Sequence, residues 1–192
     1  MSNVRKATLN DLAEIAAIHA QCIPYSINSI IGLEHLKNLY TTLCLSPSHD
    51  LLVAEDNGSI VGFISGTTNY ALLVKGAKGL ISIRQVLMLV PNMGLLKLCK
   101  MILDRIIFDL KFRRITDFYY FSTWGVKASS TPLIAPLLFR ELIKRANSSQ
   151  KNKYVANVNF ESTKLIRMYN SLGFQAISRS MTETILVLQV KR

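Results

Sequence analysis

Acidic residues are scarce in this sequence. It has 12 Asp and Glu against 23 Lys and Arg, a formal net charge of +11 over 192 residues. Cysteine is scarce too, and Cys22, Cys44 and Cys99 are widely spaced and odd in number. That spacing argues against a disulfide framework and a zinc site, and it reads as reduced thiols in a cytoplasmic chain. The three histidines, His19, His35 and His49, lack the spacing of metal ligands. No Ser–His–Asp or Cys–His arrangement stands out. No apolar run reaches the length of about 18 residues that a membrane-spanning helix needs. The opening Met1-Ser2-Asn3-Val4-Arg5 lacks the apolar stretch of a secretory signal, so no such leader is expected. Internal repeats, low-complexity tracts and a nucleic-acid reading element are also missing, and nucleic acid ranks last among partners.

Apolar residues are plentiful, at 49%, with eight Phe, seven Tyr and one Trp. This excludes wholesale disorder and fits one domain over residues 1–192. The excess charge is unevenly placed. Residues 1–74 carry a net −3, residues 75–114 a net +7 and residues 115–192 a net +7. Such a distribution suggests either an anionic partner, whether nucleic acid, anionic lipid or a phosphorylated cofactor, or simply a solubilising surface.

Along the chain, Val4 to Thr8 reads as a short strand. Asn10 or Asp11 can cap the helix that follows, with Leu12, Ile15, Ala16 and His19 on one face. A second helix is predicted from about Gly32 to Leu45, with Leu33, Leu36, Leu39, Tyr40 and Leu43 as its apolar stripe. Leu51–Glu55 and Ser59–Gly66 around Asp56-Asn57-Gly58 predict a β-hairpin. Residues 75–114 form a helical insert. In it, Leu95, Leu98, Cys99, Ile102, Ile106 and Leu110 share one face, while Lys97, Lys100, Asp104 and Lys111 lie on another. The earlier apolar stretch Leu80 to Val90 reads as a helix or a loop. An aromatic strand follows over 118–126, then a helix from Pro132 to Ala146 with Thr131 as its cap. Tyr154–Asn159 is a strand, and Thr163–Leu172 is a helix stopped by Gly173. Ile185–Val190 closes the sheet, with Ala176-Ile177-Ser178 paired to it. Strand–helix–strand alternation in the second half predicts an α/β sandwich.

Two local features can carry chemistry. The strand–loop–helix at 118–146 offers a helix N-terminus, small hydroxyl residues Ser129, Ser130 and Thr131, and the charge of Lys127, which together suit a phosphate. Tyr169 can donate a proton if its hydroxyl faces a cleft.

The order of elements, with Ile60-Val61-Gly62-Phe63-Ile64-Ser65-Gly66 and Tyr169-Asn170-Ser171-Leu172-Gly173-Phe174, resembles the GNAT superfamily of N-acetyltransferases. The resemblance covers residues 4–66 and 116–190. It implies a mixed central sheet with helices on both faces and acetyl-CoA bound in a V-shaped opening between the strands at 118–126 and 154–159. It assigns a strand bulge and the pantetheine arm to Trp124, Gly125 and Val126. The pyrophosphate falls to the loop and helix start, Lys127, Ser129, Ser130, Thr131, Leu133, Ile134 and Ala135. Asn157 and Ser162 border the same opening, and Tyr169 is the implied proton donor to the coenzyme A thiolate. The family's loop reads Arg/Gln-x-x-Gly-x-Gly/Ala, where this chain has Ser129, Pro132 and Ile134. Ser162 stands where a helical Asn often precedes the Tyr, and the 118–126 strand offers no acidic general base.

The implied reaction is acetyl transfer to the amine of a small acceptor. An anionic acceptor such as an amino-sugar nucleotide would suit the basic insert. Two other readings stand beside it: a degenerate GNAT-fold binding module, or an acyltransferase fed by an acidic acyl carrier protein. Peripheral membrane contact through the 93–114 helix ranks behind packing of that helix on its own domain.

Overall fold

The computed structural model describes residues 3–79, 91, 94–112, 114–159, 162–180 and 183–190. Strand β1 (Asn3–Lys6) pairs antiparallel with β2 (His49–Asp56) at one edge of the sheet. Between them, Asp11 Oδ2 accepts the Thr8 N–H at 2.7 Å and the Thr8 hydroxyl at 2.9 Å. Arg5 grips the same carboxylate through Nη1 at 2.7 Å and Nη2 at 2.9 Å, and donates Nε to Glu55 at 2.8 Å. Asp11 takes the cap position of the first helix, as expected, but without the expected side-chain bond. The Asp11 carboxylate turns back to Thr8 and Arg5 and makes no cap bond to α1 (Leu12–Cys22).

Helix α1 buries Leu12, Ile15, Ala16 and His19, as its periodicity predicts. A short α2 (Ile27–Ile31), which the sequence reading missed, is capped by Ser26. Helix α3 (Leu33–Leu45) buries Leu36, Leu39, Tyr40 and Leu43, while Leu33 stays exposed at its start. The hairpin of β2 and β3 (Ser59–Thr67) turns through Asn57 and Gly58, both at positive φ, +49° and +77°. A two-residue turn with both φ values positive matches the strand twist, and Asn-Gly adopts it at low cost.

After β3 come α4 (Tyr70–Gly79), also missed in the sequence, and α5 (Leu95–Phe112). Then follow β4 (Phe118–Val126), α6 (Ile134–Ser148), β5 (Lys153–Asn159), α7 (Thr163–Ser171), β6 (Gln175–Arg179) and β7 (Glu183–Gln189). The seven strands are ordered β1-β2-β3-β4-β5-β7-β6, with β4–β5 parallel and every other pair antiparallel. One face carries α1 and α3 over Leu51, Val53 and Phe63, and α5 over Tyr120, Val155 and Val187. The other face carries α6 and α7 over Ile64, Phe121, Ala156 and Leu186. The mixed sheet with helices on both faces is therefore the observed architecture.

Helix α5 is rotated from the expected orientation. Leu98 is buried as predicted, but Cys99, Ile102, Ile106 and Leu110 are exposed. Asp104, expected on the polar face, is buried instead and accepts a bond from Ser180 Oγ at 3.3 Å. The rings of Phe108 and Phe112 decide the rotation. Phe112 stacks on Tyr70 at 4.1 Å between centroids and meets Phe118 and Tyr120 edge-on. Each ring buries a large area and gains specific edge and face contacts with the other rings. The stretch Leu80–Val90 lies outside the described residues. No described helix is long and apolar enough to cross a membrane.

The bidentate Arg5 grip and the Thr8 bonds hold the Asp11 carboxyl at a pKa of about 2, below its usual 3.8. A depressed carboxylate pKa stabilises the fold above the unfolded value and loses that effect as pH falls through the folded one. Asp11→Asn should therefore cost about 1–3 kcal/mol at neutral pH, the range for charge-assisted hydrogen bonds. In urea melts the gap from the parent should shrink as pH drops from about 4 towards 2.

Candidate functional site

Strands β4 and β5 pair through Phe118–Lys153, Tyr119–Tyr154, Tyr120–Val155 and Phe121–Ala156. The pairing stops there, although β4 runs on to Val126 and β5 to Asn159. Beyond that point β4 follows β3 and β5 follows β7, so the sheet opens as a V. The cause is local. Ile64 pairs with Trp124 and Gly66 with Phe121, which leaves Ser65 facing both Ser122 and Thr123. Ser65 Oγ donates to the Thr123 carbonyl at 3.1 Å and accepts the Thr123 N–H at 3.2 Å. A bulge of this kind increases the local twist and redirects the strand. It sits at Ser122–Thr123, ahead of Trp124, Gly125 and Val126, to which the resemblance assigned it.

Those three residues lie on the parted arm of β4. The Lys127 N–H donates to the Val61 carbonyl at 2.8 Å. Hydrogen-bonding direction alternates along an antiparallel strand, so Gly125 shares that edge, while Trp124 and Val126 turn their N–H groups towards the V. Gly125 is buried where a Cβ would come within 3.1 Å of Phe63 and 3.2 Å of Cys22. Cys22, at the end of α1, also donates Sγ to the Val126 carbonyl at 3.4 Å. The sequence offered no signal for this neighbour, because α1 reaches β4 only through the fold.

The loop into α6 differs from its sequence reading. The helix begins at Ile134 with Leu133 as cap, and not at Pro132 with Thr131 as cap. The Thr131 carbonyl instead closes a turn with the Ile134 N–H at 3.2 Å. Pro136 then falls in the first helical turn, where a missing N–H breaks no helical bond. Ile134 is in the core, within 3.2 Å of where a Cβ on Gly62 would stand, so its side chain is a packing group. Ser130 folds its N–H and its hydroxyl back onto the Lys127 carbonyl, at 3.0 and 2.6 Å. Lys127 pairs with Glu14 at 3.5 Å. Ser129, Thr131, Leu133 and Ala135 keep backbone N–H groups that make no bond among the described residues. Ser129, Thr131 and Leu133 are exposed, and Ala135 is half-buried.

Tyr169 on α7 is 3% exposed. The Phe139 ring stands between it and the open arm of β4, T-shaped to Tyr169 at 5.7 Å and to Trp124 at 5.2 Å. Burial pushes the Tyr169 phenol well above its ordinary pKa, so it keeps its proton at neutral pH. At the fork, the Tyr120 hydroxyl donates to Asn157 Oδ1 and ties the two strands where they part. Ser162 caps α7 by position, with its N–H on the Asn159 carbonyl at 2.9 Å. His19 is a packing residue, as the sequence suggested. It shares a 2.6 Å hydrogen bond with the Tyr40 hydroxyl and stacks on Phe63, and burial lowers its pKa to about 4. No cluster of metal-ligating side chains is found among the described residues.

The fold recurs in solved structures. An N-acetyltransferase from Staphylococcus aureus Mu50 matches over 100% of this chain and 99% of its own, with a TM-score of 0.66 at 14% identity. The Salmonella typhimurium protein yncA, solved with its cofactor acetyl-CoA, matches over 99% of this chain and 94% of its own, with a TM-score of 0.61 at 18% identity. An acetyltransferase of the GNAT family from Streptococcus pneumoniae matches over 100% of both chains, with a TM-score of 0.60 at 13% identity. The chain has the GNAT fold. No protein-family model and no curated protein matches the sequence.

Phe139, on α6, packs its ring against β4 and α7 beside the V of this GNAT fold. Phe139→Ala should cost about 3–5 kcal/mol in chemical denaturation, the usual penalty for an emptied aromatic site. Trp124 fluorescence should broaden and shift as the indole loses its edge contact.

Proposed function

We propose that this chain is an N-acetyltransferase that moves an acetyl group from acetyl-CoA to the amine of a small acceptor. One observation carries the reading: the parallel β4–β5 pair parts after Phe121 and Ala156, with both strands continuing. The fold shared with known acetyltransferases supports it.

The residues present fit acetyl-CoA in outline. Trp124 and Val126 offer N–H donors on the parted arm to the pantetheine arm and the acetyl carbonyl. Ser129, Thr131, Leu133 and Ala135 offer N–H groups at the α6 entry, next to the positive end of the helix dipole. Acetyl-CoA supplies an activated acetyl thioester. An uncharged acceptor amine attacks the carbonyl carbon, and N–H donors aimed at its oxygen favour the charge that develops there. In this reading the C–S bond breaks, the attacking nitrogen loses its surplus proton to water, and Tyr169, held protonated by burial, is the group that protonates the departing sulfur. The net +7 of residues 75–114 favours an anionic acceptor such as an amino-sugar nucleotide.

A second reading draws on the same loop. Pro132 and Pro136 carry no N–H, and Lys127, Ser130 and Ile134 use theirs within the fold. A cradle thinned in this way favours a donor that presents only the pantetheine arm, as an acidic acyl carrier protein does.

Titration calorimetry separates the two. The first reading expects acetyl-CoA to bind and CoA to be released in the presence of a panel of amines that includes amino-sugar nucleotides. Binding of acetylated carrier protein with no heat from acetyl-CoA would favour the second. With the acetyl-CoA reaction established, Tyr169→Phe should lower kcat about 10²-fold or more, the usual contribution of a positioned proton donor, with acetyl-CoA affinity little changed.

A further inference from the structure

The outward face of α5 is apolar along its whole length. Leu96 is 86% exposed, Leu103 52%, Ile106 52% and Leu110 57%. With the exposed Cys99 they follow each other at steps of three and four residues, which places them in one stripe about 21 Å long. Ile102, 43% exposed, widens it. The stripe cannot turn inward, because the opposite side of the helix is anchored. Leu98, Phe108 and Phe112 are buried against the domain, and Asp104 is tied to Ser180.

Among the described residues, the fully exposed charges beside this face are basic. Asp104 is buried, and Asp109, half-buried on the other flank, accepts the Tyr70 hydroxyl at 3.0 Å. Positions 100 and 111 carry lysine along one flank of the stripe, and Arg114 is exposed just beyond the helix end. Lys111 reaches the Arg179 carbonyl. An antiparallel second copy laid on this face would oppose lysine with lysine. A bilayer bearing anionic headgroups accepts the apolar stripe and complements the charge.

We propose that α5 docks this protein on the surface of membranes rich in anionic phospholipid, with Leu96, Leu103, Ile106 and Leu110 entering the interface and the flanking lysines meeting the headgroups. The site is independent of the acetyl-transfer reading, since it lies on the side of α5 that faces away from the sheet.

Vesicle flotation of the full chain tests the proposal, with phosphatidylcholine vesicles beside phosphatidylcholine–phosphatidylglycerol vesicles. The parent is expected to float with the anionic vesicles only, and less so as salt is raised. Lys100→Glu should weaken that binding by at least about fivefold, in line with the effect of one basic residue at an anionic surface. The pair Leu103→Ser and Ile106→Ser should abolish it with the melting temperature unchanged. Absence of the parent from both vesicle types would overturn the proposal. So would a concentration-dependent dimer that the Ser pair dissolves, which would make the occupant a second copy. A large fall in melting temperature in the Ser pair would also overturn it, by showing that the chain itself covers this face.

Discussion

The bond pair between Ser65 and Thr123 is the constraint on which the rest of this molecule depends. One side chain on β3 satisfies both backbone groups of Thr123, and two residues of β4 then stand opposite one of β3. The strand turns more sharply there, keeps its partner on the β3 side and leaves its partner on the β5 side. The other half of the sheet has no reason to follow, because β5 is held along its length by β7. A seven-stranded sheet thus gains a cleft near its middle without a break in either strand. Polar groups at the parting are handled locally, with Tyr120 bonded to Asn157 across the fork.

Around that cleft, packing and chemistry draw on the same residues. Phe139 fills the core and also fixes Trp124 on one arm of the V and Tyr169 beside it. Burial that makes Tyr169 part of the core also keeps its phenol protonated. Gly125 and Gly62 permit the close approach of Cys22, Phe63 and Ile134, so the back of the cleft is packed rather than hollow. The α6 entry is the less regular part. Its two prolines and inward-turned Ser130 reduce the number of N–H groups that face outward, which bears directly on the size of the donor it can hold.

Much of this was legible wherever a local rule has few exceptions. Asn57-Gly58 turns the hairpin because few other pairs accept positive φ at both positions. Gly173, at φ +91°, ends α7 for the same reason. The start of α6 was misread by two residues, because a proline can stand either at the first helical position or just before the cap, and only the turn closed by Thr131 decides between them. Lys127 reads as a loop cation near a phosphate site, yet its partner Glu14 is 113 residues away on α1. The bulge was expected at Trp124 and lies at Ser122–Thr123, because it depends on which residue of β3 stands opposite.

The surplus of basic residues that marks the sequence falls into place only in three dimensions. By itself the sequence determined the order of the strands, the hairpin turn, the apolar faces of α1 and α3, and the placement of Tyr169 just ahead of a helix stop. These depend on neighbours within a few residues, and side-chain periodicity records them. The tertiary structure decided where β4 leaves β5, which groups of the α6 entry remain open, and which side of α5 is buried. In α5 a regular aliphatic stripe lost to Phe108 and Phe112, because aromatic partners on α4 and β4 were waiting for them. That outcome left a row of leucine and isoleucine beside lysine on the outside of the protein, a feature no helical wheel could assign without knowing what the other side would meet.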